Sequence, residues 1–81
     1  MKLPVIRHLV EEHELYELRQ AEVDLLEGLP LHISVEGDDE GEQLTHILAA
    51  IDILEQIQKT GISTQEALRN YTKRVRDSIS K

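Results

Sequence analysis

Cysteine, tryptophan and phenylalanine are all missing from this sequence. Without thiols there is no disulfide, no thiolate metal site and no thiol redox chemistry, and nothing points to an oxidising compartment. The two tyrosines are the only aromatic residues, which leaves the core to Leu, Ile, Val and Ala. In 81 residues such a core is thin, because a chain of this length buries roughly 60 to 65% of the surface its unfolded form exposes. Association with a second copy would enlarge it. The four glycines, at 28, 37, 41 and 61, are too scattered for a P-loop or a dinucleotide fingerprint. Long apolar runs are absent as well. The opening residues, MKLPVIRHLVEEHE, carry Lys2 and a short apolar run broken by Arg7, His8 and two glutamates. Neither a signal peptide nor a membrane span is expected, and the expected location is cytoplasmic.

Acids outnumber bases by 16 to 9, for a net charge of -7, which argues against general affinity for nucleic acid or anionic membranes. The excess is uneven: residues 1–42 hold twelve acids and three bases, and residues 43–81 hold four acids and six bases. Near the end, Arg69, Lys73, Arg74, Arg76 and Lys81 face only Asp77. The plain reading is that these bases suit the negative end of a helix dipole. The sharper one is a basic patch, Arg69, Lys73 and Arg76, that meets an acidic partner.

The apolar pattern predicts helices. Pro4 suits a first helical turn, and Val5, Ile6, Leu9 and Val10 follow at helical spacing. Leu15, Leu18, Leu25 and Leu26 then fall roughly 150 degrees around from Ile6 and Leu9 on one continuous helix, so a break is expected near His13. The second helix runs to about Glu27, where Gly28 and Pro30 stop it. Residues 31–35, LHISV, alternate apolar and polar, the period of a half-buried extended segment. With no second strand to pair with, the segment either packs on the helices or pairs with its counterpart in a dimer.

Gly37 to Glu42 is an acidic turn leading into a third helix from about Glu42 to Thr60. Leu44, Ile47, Leu48, Ala49, Ala50, Ile51, Ile53, Leu54 and Ile57 cover most of its circumference, which makes it the central helix. Gly61 ends it, and Ser63 with Glu66 forms a capping box for a fourth helix whose seam is Leu68, Tyr71, Val75 and Ile79. The expectation is an all-α fold: one helical domain over residues 1–81, built as a small bundle of about four helices with one extended segment near 31–35.

Motifs for chemistry are scarce. The acidic turn fails as an EF-hand loop, since placing Gly41 sixth puts Ile47 where the closing carboxylate belongs. His8 with Glu12, and Glu42 with His46, are spaced one helical turn apart, yet two ligands per helix do not make a site, and neither di-iron nor zinc-protease motifs occur. His46 falls on the broad apolar arc of the third helix; its plain reading is a hydrogen-bonded histidine at the rim of the core, its sharper one a ligand or a pH-sensitive contact. His13 and His32 read as surface residues. The hydroxyls of Ser34, Thr45, Ser63, Ser78 and Ser80 lack the surroundings of a nucleophile. No catalytic, cofactor-binding or metal site is expected.

The two ends of the chain, MKLPVIRHL at 1–9 and ALRNYTKRVRDSISK at 67–81, resemble an uncharacterised family of short acidic helical proteins found in Bacteroidetes. The resemblance implies a stand-alone intracellular helical domain and transfers no functional residue. Lys2, Arg7 and His8 could join Arg69, Lys73 and Arg76 in one basic patch, or the terminal helices could simply pack together. The functional expectation is a non-enzymatic protein–protein interaction module, a homodimer formed through Ala49, Ala50, Ile53 and Ile57 of the third helix. The alternatives are a regulatory protein meeting an acidic partner, or less readily nucleic acid, through the basic flank of the last helix, and a metal-binding protein using His and Glu.

Overall fold

The computed structural model describes residues 1–79; Ser80 and Lys81, read above as a hydroxyl and a charge, lie outside them. Four helices follow one another as α1 (Leu3–Glu12), α2 (Leu15–Leu26), α3 (Glu40–Thr60) and α4 (Thr64–Ile79). Among the described residues there is no strand, so the fold is all-α, as the apolar spacing predicts.

Each helix end has a local cause. Pro4 occupies the first turn of α1, where its missing N–H has no intrahelical partner to lose. His13 and Glu14 are extended, which breaks the helix where the apolar stripe changes face. The Glu14 N–H donates to Glu17 Oε1 at 2.9 Å and starts α2. At its far end Gly28 has φ 72°, its N–H donates to the Leu25 carbonyl, and the Leu29 N–H reaches the Asp24 carbonyl at 2.8 Å. This is a Schellman turn, which folds the chain back along α2. α3 begins two residues earlier than the spacing suggests, because Asp39 caps it: Asp39 Oδ1 accepts from the Glu42 N–H at 2.8 Å. Gly61, at φ 73°, closes α3 with its N–H on the Ile57 carbonyl. Ser63 Oγ then accepts from the Glu66 N–H at 3.1 Å and opens α4.

α3 is central, touched by α1, α2 and α4, and α1 also meets α4. Ile6 and Leu9 from α1, Leu18 and Ala21 from α2, Ile47, Ala50 and Ile53 from α3, and Ala67 from α4 are buried together. Full burial of each Leu or Ile contributes about 1.5 to 3 kcal/mol, so these few side chains supply most of the drive to fold. In α4, Leu68, Tyr71 and Val75 are half-buried as the seam predicts, while the Ile79 side chain lies outside the description. Arg74 of α4 meets Asp52 of α3 at 2.9 Å, an exposed pair that links these neighbouring helices, and lies 5.6 Å from the centre of the Tyr71 ring on its own helix.

The segment at 31–35 packs on the helices without pairing as a strand. Val35 is buried, Leu31 and Ile33 are half-buried, and His32 and Ser34 face out, so the alternation is realised in a strap that bends at residues 32 and 33. Gln43 donates from Nε2 to the Val35 carbonyl at 2.8 Å and supplies one of the strap's missing backbone partners.

Candidate functional site

Helix three does not present the expected surface. Ala49, Ala50 and Ile53 are between 0 and 1% exposed and Ile57 is half-buried against the same core. The chain is long enough to wrap three other helices around α3, and so these side chains are covered by their own molecule. A second copy has no access to Ala49, Ala50 and Ile53 in this fold.

His46 is buried more deeply than the rim position its spacing suggests, at 0% exposure. Its Nε2 accepts from the Lys2 backbone N–H at 3.0 Å, and its Nδ1 lies 2.8 Å from the Glu36 carbonyl. A carbonyl only accepts, so Nδ1 carries the proton and Nε2 is the acceptor. Both nitrogens are therefore committed to backbone, and neither is left for a metal. His46 is a structural peg: it satisfies an N–H ahead of α1 and a carbonyl of the strap from one ring. Its partner in the proposed pair, Glu42, points elsewhere. Glu42 accepts from the Asp38 N–H at 2.7 Å and from the chain's amino terminus at 3.4 Å; the Asp38 bond is the main reason its carboxyl titrates below the usual range. The other expected pair, His8 and Glu12, is exposed, and among the described residues no group of three or more His, Asp or Glu stands together in a way that could hold a metal ion.

The basic row on α4 is present as spaced: Arg69, Lys73 and Arg76 are all exposed. Near the other end of the chain, Lys2 lies 3.8 Å from Asp38 and Arg7 is bonded to Glu11 at 3.2 Å, so each of these cations has an acid beside it. The terminal helices α1 and α4 pack together.

The feature that sequence reasoning missed lies on α2. A cleft of about 410 Å³ is lined by Tyr16, Glu17, Gln20, Ala21, Asp24, His32 and Ile33. Asp24 forms part of its wall although it is only 2% exposed. Gln20 Nε2 donates to Asp24 Oδ1 at 2.8 Å, and His32 Nδ1 sits 3.2 Å from Asp24 Oδ2. The imidazole itself is 82% exposed, held over the cleft by the Schellman turn that brings residue 32 back beside residue 24. The Gln20–Asp24 spacing of one helical turn was the available signal; that Asp24 faces inward depends on the strap covering that side of α2, which periodicity does not report. Beside the cleft, Val23 and Leu26 of α2 and Leu29 after it are between 45 and 65% exposed, an apolar row on the outer side of the same helix.

A family model matches residues 1–80. The chain belongs to DUF6952, a family of unknown function. No curated protein and no solved structure matches it, so membership of DUF6952 carries no activity with it. The match spans both ends that suggested a family and the middle that did not. Among the described residues no helix is long and apolar enough to cross a membrane.

Proposed function

We propose that this protein is a non-enzymatic interaction module that pairs with a second copy of itself in the cytoplasm, through the outer face of α2 rather than through α3. The observation that carries this reading is the row Val23, Leu26 and Leu29, large apolar side chains left exposed by a fold that covers all of α3's small-residue stripe. Charge selects a second copy as the occupant. Glu22 and Glu27 flank the row on α2, while Arg69, Lys73 and Arg76 line the exposed side of α4. In a two-fold pair the acidic α2 of each copy meets the basic α4 of the other, so the complementarity is used twice. The Bacteroidetes source implied by the terminal resemblance belongs to this same proposal.

Native mass spectrometry and light scattering test it. The wild-type protein is expected as a dimer, Leu26→Asp as a monomer with unchanged helicity, and Arg69→Glu with Lys73→Glu as a dimer that weakens in the same direction as added salt. A monomeric wild-type protein overturns the reading. A dimer that survives both sets of substitutions moves the interface off α2 and α4 and leaves the α4 row to a different, acidic partner.

A further inference from the structure

The cleft beside α2 has a composition that the pairing surface does not require. Its polar lining is Tyr16, Glu17, Gln20, Asp24 and His32, with no Lys or Arg. A carboxylate offers about four acceptor positions, and Gln20 and His32 each take one on Asp24. Burial holds the side chain in place. The Asp24 carboxylate is thus held at the wall of a cavity, and the group over it, His32, is 82% exposed. Tyr16, 66% exposed, presents a ring at the rim, and Ala21 and Ile33 give the cleft an apolar side.

We infer that this cleft binds an organic cation, a guanidinium or primary ammonium group on an aliphatic stem. The cationic head donates to Asp24 in place of the His32 ring, as a charge-assisted bond to a carboxylate that is already desolvated and aligned. The stem runs along Ala21 and Ile33, and the Tyr16 face adds attraction for the charge. A volume of about 410 Å³ falls in the range of small-molecule sites, roughly 300 to 1,000 Å³. A bare metal ion is a poorer fit, since no three ligand groups stand together among the described residues. An anion would meet Glu17 and Asp24. The same cationic chemistry is available from a free small amine or from an Arg side chain of a protein partner.

The test is amide-resolved NMR titration of the full chain with two probes, agmatine and a capped Gly-Arg-Gly peptide. Shifts are expected to centre on Tyr16, Gln20, Asp24 and His32. Asp24→Asn keeps the shape and removes the charge, and should weaken both probes by about tenfold or more. Tyr16→Ala removes an exposed ring with no core contact to lose and should weaken them by roughly threefold; it carries the test alone if Asp24→Asn does not fold. Tighter binding of the peptide assigns the cation to a partner's side chain, and binding of agmatine as tight or tighter assigns it to a free amine. Absence of shifts at millimolar probe, or wild-type affinity in the folded variants, overturns the inference. Because Val23 and Leu26 stand beside the cleft on α2, the titration is repeated on Leu26→Asp; the same affinity in that variant separates the outcome from the oligomeric state.

Discussion

At the scale of residues, two buried polar side chains do different work. His46 joins α3 to the chain's start, 44 residues away, and to Glu36, ten residues away, and each of its bonds is to a backbone group. His46→Leu fills the space with a hydrophobe and leaves the Lys2 N–H and the Glu36 carbonyl without their partner. The expected loss is about 2 to 4 kcal/mol, read as a lower urea midpoint with an unchanged slope. Loss within a few tenths would mean that water replaces the ring at both groups. Asp24, by contrast, is bonded to an imidazole that is 82% exposed, the group that the proposed cation would replace. The sequence made His46 conspicuous because it stands among Ala50, Ile53 and Ile57. Asp24 was illegible because one turn of α2 places polar residues on a flank that only the strap converts into interior.

At the scale of elements, most boundaries could be read directly. The shift of the apolar stripe at His13, the stop at Gly28 and the Gly61–Ser63 junction each combine a change of period with a residue whose backbone or side chain ends or starts a helix. The start of α3 was less legible because Asp38, Asp39, Glu40 and Glu42 all suit a helix N-terminus, and choosing Asp39 requires knowing where the strap arrives. Gly37 shows how tightly it arrives. A Cβ built there would lie 2.8 Å from both the Gln43 side chain and its backbone nitrogen, so Gly37→Ala must push the strap off α3, at a cost of about 1 to 3 kcal/mol. Gly61→Ala meets no neighbour but forces Ala to a φ of 73°, costing about 1 to 2 kcal/mol. Both should lower the melting temperature. They differ in the amide spectrum: Gly37→Ala moves resonances of residues 33–36 as well as α3, and Gly61→Ala moves only those near the α3–α4 junction. The reverse pattern would contradict the strap's close approach.

At the scale of the molecule, the helical class, the number of helices and the central place of α3 were legible, since an all-round apolar helix in a polar chain has nowhere to go but the middle. Which surfaces remain after it is covered was not. The expectation that α3 would greet a second copy treated the chain as too short to cover its Ala49, Ala50 and Ile53, whereas small residues at Ala49, Ala50 and Ala67 let the other helices approach closely enough to do so. The peg at His46 also bears on the order in which the molecule assembles. The α3–α4 hairpin needs only contacts local in sequence, but the bond from residue 46 to residue 2 closes a loop across α1, α2 and the strap. Closing so long a loop comes late when nearer contacts are available. In stopped-flow measurements His46→Leu should therefore leave the refolding rate nearly unchanged and raise the unfolding rate, while Ala67→Gly in the hairpin should slow refolding. The native protein's resistance to opening, as distinct from its speed of formation, would then rest on one imidazole ring.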